Sequence, residues 1–380
     1  MDRDRLQPEV DEWVEEGLIT REQAEAILVR YESEGRSRIV TAISLLGAVL
    51  IGAGIVLYLA ANWVDLSRSV RTVILLVAPA VACAGGWWLA ENRTPRVGHA
   101  LVILGVGLVG PSLFLLSDLY FIEIDASVLY VGWAAVALPV GHAIASRAAT
   151  VLGIAAIGAS IVVLASPADP VIPMGFYGVV LFALGAYRGP GYVPSGQSSA
   201  VAHVYRWSGA LATLGALILL AALEGRFSTI AFEPTLPLAA TAIGALFAAL
   251  ATAFLARTRD EDRVALLWPG IALCTLFAAS GLAMAAPESV ADVVAFGLIH
   301  LLSLSAIVAT VATGYRTGST ALVNVAIVAF LAQLVAFLNT TVVAETSGAL
   351  ALIVVGVALL AAGVGVERGR RELLSRMSGS

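Results

Sequence analysis

Polar and apolar positions divide the chain into three unequal parts. Residues 1–38 mix them at helical spacing, residues 39–366 are apolar with short polar breaks, and residues 367–380 are polar again and rich in arginine. In the middle part the apolar runs are continuous rather than alternating. A hydrocarbon core about 30 Å thick takes about 20 helical residues to cross. Inside it every backbone amide must be paired within its own segment, so such runs predict transmembrane helices. Twelve runs fit: 39–62, 70–90, 99–120, 127–146, 148–166, 171–188, 207–223, 235–256, 264–286, 290–313, 319–339 and 346–366. Almost nothing separates the fourth from the fifth, so Ser146-Arg147 must form a tight hairpin with the arginine at an interface. The expected fold is all-α, a polytopic transmembrane bundle of about 12 spans.

The first 38 residues predict a cytoplasmic αα-hairpin. Leu6, Val10, Trp13 and Val14 share one face of a first helix, with Pro8 in its first turn and Gly17 at its stop. Thr20 then caps a second helix, with Gln23 three residues on to complete a capping box, and Ile19 and Ala24 are placed as a hydrophobic staple. Ala24, Ile27, Leu28 and Tyr31 follow at the spacing of one helical face. A piece this short rarely buries enough surface to fold alone. Its apolar face, with Trp13, Val14, Ile27, Leu28 and Tyr31, is therefore expected to dock on the membrane domain, a second copy or another protein.

Composition removes the soluble alternative. Mean hydropathy is +0.91, and 59% of residues are hydrophobic against 13% charged, where soluble domains carry about 25% charged residues. Charge then sets an orientation. Of the 22 basic residues, all arginines, only Arg68, Arg71 and Arg226 fall in connectors on one side; the other 19 fall opposite them or at the two ends. The positive-inside rule places both termini in the cytoplasm. Trp63, Tyr120 and Tyr130 lie at outer ends of spans and Trp87, Trp88, Tyr187, Tyr205, Trp207 and Tyr315 at inner ends, as an aromatic belt requires.

Ionisable groups in hydrocarbon cost several kcal/mol and mark candidate sites. Asp118, Glu224, Asp292, His99 and His142 sit near span ends. His300 is the eleventh residue of its run and close to the expected midplane. Gln333, Asn324, Ser303 and Ser305 are placed to hydrogen-bond it. Two readings stand: a solute or proton site, or a neutral histidine that locks two helices through a serine or glutamine. Asp118, Glu123 and Asp125 form an acidic outer loop, suited to attract cations or simply solvated. Cys83 and Cys274 read as thiols packed among apolar neighbours. Ala155 with Ala159, and Ser208 with Ala212 and Ala216, are spaced for close helix packing. Leu46-Gly47 with Gly52 and Leu104-Gly105 with Gly110 share a spacing that a duplicated helix pair would produce. The stretch from 186 to 200 reads as a linker. No Walker loop, HExxH or GxSxG stands in a suitable context. No catalytic, cofactor-binding or metal-ligating set is therefore expected.

The pattern W-x-x-x-G-L-I-T-x-x-Q-A-x-x-I-L from Trp13 to Leu28, followed by LLGAVLIGAGIVLYLAANW with an arginine just beyond, resembles a family of predicted bacterial and archaeal membrane proteins, domain of unknown function 2157. HALVILGVGLVGPSLFLLSDLY and GWAAVALPVGHAIASRA are similar to it too, as is the closing apolar span with its arginine-rich tail. The resemblance runs to about residue 150 and returns near the end. It implies a membrane location and this architecture, and it carries no catalytic residues.

The expectation is thus a non-enzymatic, multi-pass protein of the plasma or inner membrane. It would act as an envelope, sensory or scaffold component through its hairpin. Membrane lipid, and a protein partner or second copy at residues 1–38, are the expected partners; nucleic acid is not. The alternative is a transporter or channel for a small solute with a polar site near His300.

Overall fold

A computed structural model describes residues 10, 12–24, 50, 57, 61–92, 95–166, 170–187, 197–222, 235–257, 263–285 and 291–339. The chain divides into two compact units, Met1–Ile74 and Leu75–Ser380. In the first, Val10 and Ala24 are buried together, with Trp13, Val14 and Ile19 against them. Gly17 adopts φ 72°, the left-handed turn that ends a helix and favours glycine. Both halves of the capping box form: Thr20 N donates to Gln23 Oε1 at 2.9 Å and Gln23 N to Thr20 Oγ1 at 3.3 Å. Further on, Arg71 donates to the carbonyls of Leu66 (2.9 Å) and Val64 (2.6 Å) and lies over the Trp63 ring. Ile27, Leu28 and Tyr31, the linker, the last run (346–366) and the tail lie outside the described residues. So does the first run except at 50, 57, 61 and 62.

Among the described residues ten long helices follow: α1 (Arg68–Asn92), α2 (Pro95–Tyr120), α3 (Ala126–Ala143), α4 (Arg147–Ala165), α5 (Val171–Ala186), α6 (Gln197–Ala222), α7 (Leu236–Leu255), α8 (Arg263–Ala285), α9 (Ala291–Arg316) and α10 (Thr320–Leu338). They coincide with the second to eleventh expected runs. Among the described residues there is no strand, and nine helices are long and apolar enough to cross a membrane. The exception, α5, has 16 residues, about 24 Å of helix. Nearly all of one side of α5 is buried against α6, α7 and α8, so its neighbours rather than its own length set its surroundings.

Local sequence explains the ends. Asp125, Ser146, Thr235 and Ser319 each cap the helix that follows by accepting a backbone N–H, which satisfies a donor that the helix itself leaves free. The expected tight hairpin between α3 and α4 is present: Ser146 N donates to Gly141 O at 2.8 Å, with Ala145 at φ 50°. The α9–α10 turn uses Gly318 at φ 65°, and Ser319 N closes it on Gly314 O at 2.8 Å. One boundary differs. α6 begins at Gln197, ten residues before the apolar run at 207, so the end of the expected linker is helix. Its first turns are too polar to read as a span, yet Val201 and Val204, at helical spacing, are buried.

In lipid, apolar burial gives little drive for helices to associate, so close approach and dispersion carry the packing. A close seam joins α5 to α6. A Cβ added at Gly178 would lie 2.6 Å from Gly209 O and 2.7 Å from Thr213 N. Gly209 and Thr213 thus line the contact, one position along from the expected Ser208 and Ala212, while Ala216, the third residue of that stripe, does meet α5 at Gly175. On α4 the buried small residues include Gly153, Ala156, Gly158 and Ser160, while Ala155 is exposed and Ala159 half-buried. α1 and α2 meet through Gly86, Gly98 and Gly105. The central cluster draws on α5 to α10, with Phe182 stacked on Trp268 at 3.9 Å between ring centroids. Cys83 packs in a smaller cluster of α1 to α4. Cys274 is exposed on the flank of the bundle rather than packed inside it.

Candidate functional site

Most buried hydroxyls in the bundle are already bonded. Thr252, Thr275, Thr310 and Thr313 donate to carbonyls of their own helices three or four residues back. Others tie helices together. Trp268 Nε1 donates to Thr310 Oγ1 at 3.0 Å (α8 to α9), Thr213 to Gly175 O at 3.2 Å (α6 to α5) and Ser303 to Leu217 O at 3.3 Å (α9 to α6).

Against that background three buried side chains stand apart. His300 is 5% exposed, and its Nδ1–H donates to Phe296 O of its own helix at 3.1 Å, leaving Nε2 without a partner. In the neutral ring that nitrogen is an acceptor. Gln333 is 2% exposed, and neither Nε2 nor Oε1 is bonded. Ser280 Oγ is likewise buried and unbonded. Counting along the antiparallel helices from the Trp268–Thr310 bond puts Ser280 level with Leu298, and counting from the His300–Phe337 ring contact puts Gln333 level with Leu304. All three lie within about 9 Å along the bundle axis. The His300 ring sits between Phe296 (4.1 Å) and Phe337 (5.3 Å). A polar group buried in this way costs about 1–3 kcal/mol until something bonds it.

His300, Ser303 and Gln333 are buried on neighbouring helices. Asn324 is exposed and nine residues from Gln333, about 13 Å along α10, so it does not join them. Ser305 is exposed and donates to Leu302 O. The serine or glutamine lock on the histidine does not form either, because Ser303 spends its proton on Leu217 O and the ring turns to its own backbone. His300 is the tenth residue of a 26-residue helix, about one turn from its centre. Ser280 carried no sequence signal, since a serine among alanines and glycines looks like any small packing residue.

At the other end of the bundle, His142 Nδ1 bonds Leu138 O, and its Nε2 lies 3.5 Å from Tyr205 OH. His203 Nδ1 is 3.4 Å from Ser319 Oγ. Arg206, expected in a connector, is inside α6 and 8% exposed. The acidic α2–α3 loop borders an open cavity of about 380 Å³ lined by Phe114, Asp118, Phe121 and Glu123 among others. Asp125 faces α3 instead: hydrogen bonds from Ser127 hold its carboxyl below its usual value. Among the described residues no three His, Cys, Asp or Glu side chains gather as metal ligands would.

Comparison with known proteins adds one result. Residues 11–150 match the family model described as Predicted membrane protein (DUF2157). This stretch holds the Trp13–Ala24 segment and runs through α3 into the start of α4. The chain is a multi-pass membrane protein. Neither the curated proteins nor the solved structures gave a match. Ser280, His300 and Gln333 lie outside the matched residues.

Proposed function

We propose that this is a non-enzymatic protein of the plasma or inner membrane, with both termini cytoplasmic, whose bundle seats a small uncharged solute between α8, α9 and α10. The observation that carries this reading is the buried, unbonded set of His300 Nε2, the Gln333 amide and Ser280 Oγ. One acceptor, one amide that both donates and accepts, and one hydroxyl suit a neutral hydrogen-bonding molecule with a flat apolar face to lie against Phe296 and Phe337. Among the described residues the spans supply no carboxylate there, which argues against ion-coupled uptake and for facilitated passage or sensing. The orientation rests on the arginine distribution.

The test is uptake or binding by the full-length protein in liposomes, using a panel of labelled amides, ureas and polyols. Wild type is expected to take up at least one, and His300→Leu and Gln333→Leu to lose it. Equal behaviour of wild type and both variants across the panel rules the reading out.

A second reading is supported by the packed Val10–Ala24 cluster. Residues 1–38 recruit a protein partner or a second copy to the cytoplasmic face. Site-specific crosslinking from Leu18, which is 68% exposed, that captures neither would remove it.

A further inference from the structure

The turns α3–α4 and α9–α10 and the start of α6 lie at one end of the bundle, and they bring basic groups together there. Arg147 opens α4 and is exposed. His203 and Arg206 are three residues apart on α6, hence on one face. The Arg206 stem crosses Gly185, where an added Cβ would lie 2.8 Å from its Cγ, so the buried guanidinium depends on the missing side chain. The His203 ring touches the Ser319 hydroxyl, and the α3–α4 turn that leads into Arg147 reaches α6 where His142 Nε2 lies 3.5 Å from Tyr205 OH. The His142 and Tyr205 rings meet at a tilt, 5.7 Å between centroids.

We propose that Arg147, His203, Arg206 and Ser319 form a binding site for a phosphate-bearing anion. The chemistry follows from the groups. Guanidiniums match phosphate oxygens with paired N–H donors. The His203–Ser319 pair spends one proton between its members and supplies one further donor beside them. The site sits where spanning helices end, the level of lipid headgroups, and basic pockets between helices at that level take anionic headgroups. Leu184 and Tyr187, exposed on the last turns of α5 and just beyond, offer an apolar flank for an acyl chain next to Gly185. The phosphate can therefore belong to an anionic phospholipid or to a soluble phosphate compound.

The experiment uses the full-length protein in detergent, read by native mass spectrometry. It is titrated separately with phosphatidylglycerol, phosphatidylcholine and glycerol phosphate. Retention of phosphatidylglycerol over phosphatidylcholine supports the site with a lipid occupant. Binding of glycerol phosphate without lipid preference supports it with a soluble one. Arg147→Gln and His203→Gln are each expected to weaken the bound anion, the arginine change by about fivefold, the weight of one basic residue at a charged surface. Arg147 is exposed, so its variant should fold. Arg257→Gln, at another corner of the same end, is expected to change nothing. Equal loss in Arg257→Gln, or no preference for any phosphate anion, overturns the proposal.

Discussion

Gln333→Met asks whether the protein itself leaves the α10 amide without a partner. The two side chains have nearly the same length and volume, so packing changes little. What changes is the pair of atoms Nε2 and Oε1, both buried and unbonded. In a soluble protein each would cost about 1–3 kcal/mol. Between membrane helices hydrogen bonds average about 0.6 kcal/mol, because the unfolded state in lipid also finds partners. Scaling the penalty for two atoms accordingly, the methionine variant should be more stable than the parent by about 1–2 kcal/mol, a factor of about 5–30 in the unfolding equilibrium. The measurement is reversible unfolding of the full chain in bicelles with no solute added. Ser303→Ala is the contrasting case. Its hydroxyl bonds Leu217 O, so losing it should destabilise by about 0.6 kcal/mol. If Gln333→Met is the less stable protein by 1 kcal/mol or more, the amide is already satisfied in the empty bundle and the proposed seat does not exist.

Gly178→Val should destabilise the bundle by about 1–3 kcal/mol or prevent assembly, because its side chain would enter backbone atoms of α6; thermal unfolding followed by tryptophan fluorescence reads this. Trp268→Phe removes the donor to Thr310 and part of the ring stacked on Phe182, with an expected cost of about 1–3 kcal/mol in the same assay. Asp125 has a folded-state value below its unfolded one, so its cap is fully present above about pH 4 and is lost as pH falls through the lowered value. Backbone exchange at Ser127 and Val128, corrected for intrinsic rates, should therefore accelerate below pH 4 in wild type, and Asp125→Asn should remove that step.

Hydrophobic runs made the helices legible because a membrane span must be both long and unbroken. The residues that join them were also readable, as with Ser146 ahead of Arg147 and Thr20 ahead of Gln23, where capping chemistry is local. What could not be read was the face each helix turns inward. On a helix that is apolar all round, small residues occur on every side, and only contact with a neighbour selects Gly209 and Thr213 over Ser208 and Ala212. The start of α6 was hidden for a related reason: QSSAVAHVYR is polar by composition but still buries Val201 and Val204. His300 and Gln333 were visible as rare polar residues in hydrocarbon. Their lack of partners was not, because it depends on Ser303 bonding across to α6 instead.

The unbonded groups are informative because of how the rest of the bundle behaves. A threonine or serine in a membrane helix has a default partner, the carbonyl a turn behind it, and Thr252, Thr275, Thr310 and Thr313 all use it. Gln333 has no such use for its amide here, and His300 has used its only proton on Phe296 O. Ser280, His300 and Gln333 fall on three consecutive helices within two turns of one level, on either side of Ser303, the residue that fixes α9 to α6. An apolar replacement at each position would pack as well and would remove the penalty. The three together are therefore better explained by something they bond than by the packing they provide, and the solute-free stability of Gln333→Met decides between those two causes.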